Sequence, residues 1–363
     1  MKNIKSRNVI SLILATISSL TMVATSCTNS ATPTTSTPGN LPTISEDVSW
    51  QMGDTIVAAT VTRPDDKFVH PAVVLVAGSG PTDRDWNSPL LPGTNGSARL
   101  LAEELAKNGY VTIRYDKRVA GPNAQINLTF LMGKLSMESH VDELAGAVNQ
   151  LVARTDVNPD QIFVLANSEG TLHALNYQLS RETRFAGLIL QGIPGHSIAD
   201  TIRAQIEPQV APLPNGKEIM AGWDKLMANF LTDKPFIADP ALPEVMNSII
   251  QNAYDPINLP FTRELFALDP ASLIGKVTEP TLVMIGKKDI QADYRRDGIP
   301  LEVAAEGHGN VSFVYPENAD HVLKYEPCPR ETLKPTEVQY NSSDRVLDAD
   351  ALKIIMEWLR QNN

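Results

Sequence analysis

Short, dense apolar runs recur along this chain at 72–76 (AVVLV), 110–115 (YVTIRY), 162–165 (IFVL), 185–190 (FAGLIL), 281–285 (TLVMI) and 311–315 (VSFVY). Runs of this length with little polar alternation predict strands buried on both faces, as in a parallel sheet. Weaker strand-like patches lie at 55–61. Between the runs the spacing changes to helical. Residues 97–107 predict one helix, and 138–154 a second, with Val141, Leu144, Ala145, Val148, Leu151 and Val152 on one buried face. An amphipathic helix over 347–360 closes the chain. Strands separated by helices imply βαβ units, which close right-handed onto a parallel sheet. The rhythm breaks at about 193–279. There the pattern is helical, clearest at Ile219, Met220, Trp223, Leu226, Met227 and Phe230, and prolines separate short helices. We read this segment as a helical cap inserted over the active site, the other reading being scaffold helices with no part in the chemistry.

The N-terminus has a different character. Residues 1–27 carry Lys2, Lys5 and Arg7, then a largely apolar run over 9–23, and end in Ala24, Thr25, Ser26 and Cys27. This is the layout of a secretory signal, too short and too rich in Ser and Thr for a membrane span. Small residues before Cys27 resemble a lipobox, so Cys27 is the expected lipidation point, although Ala24 stands where an aliphatic residue is more usual. Ordinary signal cleavage is the alternative. Residues 28–45, rich in Thr, Ser and Pro, read as a flexible tether, and 46–363 as the folded body.

Composition narrows the partners. The formal charge is −11, and loss of the leader, with three basic and no acidic residues, takes it to −14. An acidic body without a Lys/Arg run argues against nucleic acid and leaves a lipid anchor as the expected membrane contact. Cys27 and Cys328 are the two cysteines. With Cys27 lipidated, Cys328 is expected to have no intramolecular partner and the body to fold without disulfides. No His/Cys/Asp/Glu grouping has metal-ligand spacing and no phosphate or dinucleotide fingerprint follows a strand, so neither a metal nor a cofactor is expected. The oligomeric state is left open by the sequence.

Candidate chemistry centres on 162–173, IFVLANSEGTLH. A buried strand turns through Ala166, Asn167, Ser168, Glu169 and Gly170 into a helix, with a serine at the apex. This is the nucleophile-elbow pattern. Side chains two before and two after the serine would collide in so tight a turn, which fits Ala166 and Gly170. The helix behind the serine favours negative charge developing there. A Gly-rich loop, Gly78-Ser79-Gly80, follows the first dense run. Asp289 lies just past the 281–285 strand and His321 just past the 311–315 strand, giving the chain order Ser, Asp, His. Asp293 rivals Asp289 but lies farther from its strand. His308 rivals His321 but precedes the last strand.

These residues give the chain its resemblance to the α/β-hydrolase superfamily, and more narrowly to bacterial secreted or lipoprotein serine hydrolases with esterase or aminopeptidase-like activity. It is carried by AGSGPTDRD from Ala77, ANSEG from Ala166, GKKDIQ from Gly286 and ADH ending at His321, and spans about 48–363. Two positions depart from the commoner pattern: Ala166 replaces glycine, and Ala77 stands where many lipases and esterases have histidine. The resemblance implies an α/β-hydrolase fold, with a mostly parallel central sheet flanked by helices and an inserted cap. It also implies a Ser168–Asp289–His321 triad acting on a small-molecule ester or acyl substrate through an acyl-enzyme. The N–H groups of Glu169 and Ser79 would bind the oxyanion. Peptidase or acyltransferase chemistry on the same triad, and a catalytically silent binding protein, are the alternatives. Arg84 and Gln291 are candidate substrate contacts. The Glu169 side chain would contact substrate or hydrogen-bond behind the nucleophile. His173 reads as a packing residue, and Asp116-Lys117-Arg118 as a solvated ion-pair cluster.

Overall fold

A computed structural model describes residues 39–89, 91–334 and 338–363. The dense apolar runs all become strands of one eight-stranded sheet: β1 (Thr43–Met52), β2 (Thr55–Pro64), β3 (His70–Val76), β4 (Val111–Tyr115), β5 (Val157–Asn167), β6 (Gly187–Gln191), β7 (Thr281–Met284) and β8 (Val311–Val314). Their order is β1-β2-β4-β3-β5-β6-β7-β8. The first two pairings, β1 with β2 and β2 with β4, are antiparallel. All later ones are parallel, so the carboxyl ends of β3 to β8 share one edge.

Helices cover both faces. On one side lie α1 (Ser97–Lys107) and, from the far end of the chain, α11 (Ala349–Gln361). The other side holds α3 (Met137–Val152) and α4 (Glu169–Ser180), with the short α2 (Ala124–Leu131) near β2. The strand period of two sorts the core. Ala72, Val74, Val76, Val164 and Ala166 join Val141, Leu144, Leu172 and Leu175 in one cluster. Val73, Leu75, Phe163 and Leu165 join Leu101, Leu105, Ile355 and Leu359 in the other. Helix α3 starts at a reciprocal cap, in which Ser136 and Ser139 each accept the other's backbone N–H.

Between β6 and β7 the chain forms five helices: α5 (Ile198–Val210), α6 (Gly216–Leu231), α7 (Glu244–Ala253), α8 (Phe261–Ala267) and α9 (Pro270–Ile274). Ile202, Ile206, Trp223, Met227, Phe230, Ile250 and Phe266 pack into a third apolar cluster. A short α10 (Gly298–Ala304) joins β7 to β8.

Two expectations meet the structure differently. The stretch assigned as tether through residue 45 already belongs to β1 from Thr43, paired in register with β2, and Ser45 Oγ lies 2.9 Å from Thr62 Oγ1. Its alternation is masked because β1 is half solvent-facing, with Val48 and Trp50 inward. Cys328 is disulfide-bonded, its partner lying outside the described residues, which corrects the expectation that it has no partner. The leader, Cys27 and most of the tether also lie outside the described residues. Among the described residues no helix is long and apolar enough to cross a membrane.

Candidate active site

Strand β5 ends at Asn167 and α4 begins at Glu169, leaving Ser168 alone to make the turn. It does so at φ 52°, ψ −125°, a conformation that side-chain-bearing residues rarely adopt and that is held only where the surroundings over-determine it. Here the surroundings do so. Ser168 N–H donates to the Gln191 carbonyl at 2.8 Å, and the Ser168 carbonyl accepts from Thr171 N (2.9 Å) and Thr171 Oγ1 (2.6 Å). A Cβ on Gly170 would sit 2.5 Å from the Ala77 carbonyl oxygen, so glycine lets α4 abut the end of β3. Ser168 is thus raised at the strand edge over a helix N-terminus.

Asp289 and His321 arrive from the loops after β7 and β8. Asp289 is fully buried; its Oδ1 accepts the N–H groups of Gln291 (2.8 Å) and Ala292 (2.9 Å), and its Oδ2 lies 2.8 Å from His321 Nδ1. That pairing leaves His321 Nε2 as the ring nitrogen open to proton transfer. Burial opposes the imidazolium, but the charge and hydrogen bond of Asp289, aided by Asp320 and Asp297, outweigh it and raise the His321 pKa above its ordinary value. Gly192, at φ 61°, lies against this pair: a Cβ there would be 3.1 Å from His321 Cε1 and 3.4 Å from Asp289 Oδ2. Ser168 N–H is bonded to the neighbouring Gln191 carbonyl, so the elbow and the imidazole–carboxylate pair both adjoin one tight turn after β6. No hydrogen bond to Ser168 Oγ is formed among the described residues, as is common in unliganded sites.

Two side chains that the sequence did not single out hold the His321 main chain in place. Asn167 Nδ2 (2.9 Å) and Gln191 Nε2 (3.0 Å) both donate to the His321 carbonyl, and Asn167 Nδ2 also donates to Gln191 Oε1. Their only sequence signal is a polar residue ending each of two adjoining apolar strands. Asp320 anchors the same turn, accepting from Val322 N, Lys324 N and Arg345 Nη2. Burial, partly offset by Arg345, pushes its carboxyl up to about 6.

On the other side of the serine is the Gly-rich loop. A Cβ on Gly78 would lie 3.1 Å from Ser168 Cβ and 2.7 Å from Asn167 Oδ1, so the Gly78–Ser79 peptide rests against the nucleophile candidate. Thr82 Oγ1 donates to the Ser79 carbonyl at 2.7 Å, closing the turn.

Several candidates are committed elsewhere. Arg84 donates twice to Asp116 (Nε 3.2 Å, Nη2 2.7 Å) and further to Asp47 and Thr60, so its guanidinium ties loop to sheet. Gln291 Nε2 donates to Tyr340 Oη at 2.9 Å. Asp293 pairs with Arg330 at 2.7 Å and not with a histidine, and His308 is exposed ahead of β8. Asp116, Lys117 and Arg118 are buried, contrary to the solvated cluster expected. Lys117 Nζ donates to Glu169 Oε1 (2.8 Å) and to the Gly78 carbonyl (2.5 Å), and Arg118 Nε to Glu143 Oε1 (2.8 Å). The Glu169 carboxylate therefore turns inward, not toward a substrate. His173 packs flat on His140, ring centroids 4.6 Å apart, and burial holds it neutral, with a pKa well below the usual histidine range. Among the described residues no group of His, Cys, Asp or Glu side chains is placed to hold a metal ion.

A mostly parallel sheet covered on both faces, with an elbow after β5 and a carboxylate–imidazole pair beyond the next strands, defines the α/β-hydrolase fold, and this chain has it. No family model matches the sequence. Among curated proteins it is 25% identical over 295 residues to Esterase EstD of Thermotoga maritima, covering 80% of this chain and 64% of that protein. Among solved structures it resembles the acylaminoacyl peptidase of Pyrococcus horikoshii, with TM-score 0.52, 13% identity, 88% of this chain and 42% of that one. It also resembles a thioesterase domain from the curacin biosynthetic pathway, with TM-score 0.50, 12% identity, 88% of this chain and 99% of that one. The chain thus spans less than two thirds of the length of the esterase and of the peptidase.

Proposed function

We propose that this protein is a serine hydrolase that cleaves carboxylic esters through a Ser168–His321–Asp289 triad and an acyl-enzyme. One observation carries the reading: a strained serine at a helix N-terminus shares one turn with a buried, hydrogen-bonded Asp289–His321 pair whose Nε2 is uncommitted. His321 Nε2 takes the Ser168 proton as Oγ attacks the ester carbonyl. Asp289 fixes the Nδ1–H tautomer and stabilises the imidazolium. The N–H groups of Glu169 and Ser79 receive the oxyanion. His321 then protonates the departing alcohol, and a water deprotonated by His321 attacks the acyl-enzyme to release the acid. The similarity to Esterase EstD favours an ester over a peptide bond. Helices α5 to α9 start seven residues after Gln191, whose carbonyl binds Ser168 N, and in this reading form a cap whose inner face selects the substrate. The leader and tether favour an extracytoplasmic, envelope location. No cofactor takes part in these steps.

The test is a fluorophosphonate probe applied to the full-length protein, beside Ser168→Ala and His321→Ala, with the adduct mapped by mass spectrometry and short-chain aryl esters as substrates. Labelling confined to Ser168, absent in both variants, together with ester cleavage is the expected result. A folded wild type that takes no probe and cleaves no activated ester overturns it.

A further inference from the structure

The buried ion pair behind the nucleophile has a geometry that reaches into the oxyanion loop. Lys117 is 3% exposed and Glu169 4%. Lys117 Nζ divides its donors between Glu169 Oε1 (2.8 Å) and the Gly78 carbonyl oxygen (2.5 Å). Glu169 is the residue after the nucleophile, and its backbone N–H opens α4. Gly78 contributes the carbonyl half of the peptide whose other half is the Ser79 N–H. In a planar trans peptide those two groups point in opposite directions. A cation that draws the Gly78 carbonyl into the interior therefore turns the Ser79 N–H outward. Gly78 lies against Ser168 on that side, close enough that a Cβ would be 3.1 Å from Ser168 Cβ. One ammonium thus holds the two segments that carry the two candidate oxyanion donors. It is held in turn by a carboxylate whose second oxygen, Oε2, is buried without a hydrogen-bond partner.

Resting on the hydrolase reading above, we propose that Lys117 is a positioning residue: bridging the Glu169 carboxylate and the Gly78 carbonyl, it locks the Gly78–Ser79 peptide with its N–H toward the oxyanion. It touches no reacting atom. Its contribution belongs to the transition state, because the Ser79 N–H is needed most when charge develops on the carbonyl oxygen.

Lys117→Met alone leaves a buried unpaired carboxylate and can unfold the protein for that reason. The test therefore uses Lys117→Met with Glu169→Gln, and, should that pair not fold, Lys117→Met with Glu169→Met, an apolar replacement of the kind often tolerated at buried ion pairs. Both leave the Glu169 backbone N–H in place. For a short-chain aryl ester the expected result in the folded double variant is a fall in kcat of about 10- to 100-fold. KM should stay within about threefold, and the inhibition constant of a boronic acid, which forms a tetrahedral adduct on Ser168, should rise in proportion to the loss in kcat. The acidic limb of the pH profile should not move, since His321 and Asp289 are untouched. A folded double variant with kcat within about twofold of wild type overturns the positioning role while leaving the hydrolase reading intact. A wild type with neither probe labelling nor ester cleavage overturns both.

Discussion

Asp289→Asn is the most incisive perturbation of the proposed mechanism, because the structure fixes what an amide would do. The introduced side chain can keep its carbonyl oxygen on the N–H groups of Gln291 and Ala292, which now hold Oδ1 at 2.8 and 2.9 Å, so the loop should stay folded. The amide NH₂ then faces His321 Nδ1, where the carboxylate Oδ2 now lies at 2.8 Å. Two donors cannot share that contact, so the imidazole carries its proton on Nε2 instead. In that tautomer it cannot accept the Ser168 proton. The expected loss in kcat is about 10⁴-fold, or roughly 5 kcal/mol of transition-state stabilisation. The pH dependence should change as well. Asp289 is the strongest of the influences that raise the His321 pKa against burial. Wild-type kcat/KM, which needs neutral His321, should therefore rise along a limb lying above the ordinary histidine value near 6.5, and in the variant the residual limb should move to lower pH. Linkage has a fixed sign here. A histidine whose folded pKa is raised adds stability below its unfolded value and loses it as pH rises through the folded value. Steady-state hydrolysis of an aryl ester from about pH 5 to 9, with thermal unfolding as the folding control, tests all of this. A folded Asp289→Asn variant within about tenfold of wild-type kcat would refute the role assigned to Asp289.

Other outcomes follow from single contacts. Gly78→Ala should cut kcat by about 10-fold or more with little change in KM, because its Cβ would press on Asn167 Oδ1 and Ser168 Cβ; steady-state kinetics reads it. Gly192→Ala should cost about 1–2 kcal/mol in chemical denaturation, from φ 61° alone, and should lower activity further by pushing on the His321 ring. Arg118→Met should destabilise the fold by about 3–5 kcal/mol, since Glu143 would be left buried beside His140 without its guanidinium. Burial disfavours the Glu143 carboxylate, but His140 and Arg118 together lower its pKa to about 2. Its contribution to stability is therefore fully present above the unfolded value near 4.5 and lost as pH falls toward 2, which acid unfolding of wild type against Glu143→Gln would reveal.

The sheet was legible because parallel strands buried on both faces leave dense apolar runs that few other structures produce: β3, β5 and β7 lie where AVVLV, IFVL and TLVMI predict them. Helix α1 spans 97–107 as its spacing predicts. Strand β1 was not legible, since one face meets solvent and polar residues fill alternate positions. The strained turn at Ser168 and the Asp289–His321 contact lie where the order of elements puts these candidates. What surrounds them could not be read from that order. A lysine buried at 117 and a lysine on a solvated loop are the same letter, and only the approach of Gly78 and Glu169 distinguishes them. The contacts of Arg84 and Gln291 were hidden for the converse reason: their partners, Asp116 and Tyr340, lie 32 and 49 residues away. Asn167 and Gln191 likewise acquire meaning only once β5 and β6 lie side by side.

The parallel pairing of β6 with β7 joins Leu188 to Thr281 and Gln191 to Met284 across everything that lies between them. The five helices of residues 192–280 therefore leave from and return to two points held at a fixed separation by the sheet, and much of their apolar surface packs into a cluster of its own. The entropy of closing such an excursion grows only slowly with its length. In the proposed reading the helices beyond Gly192, which itself packs on His321 and Asp289, can lengthen, shorten or repack in evolution, so what the pocket admits can diverge while the bond-breaking residues are inherited unchanged.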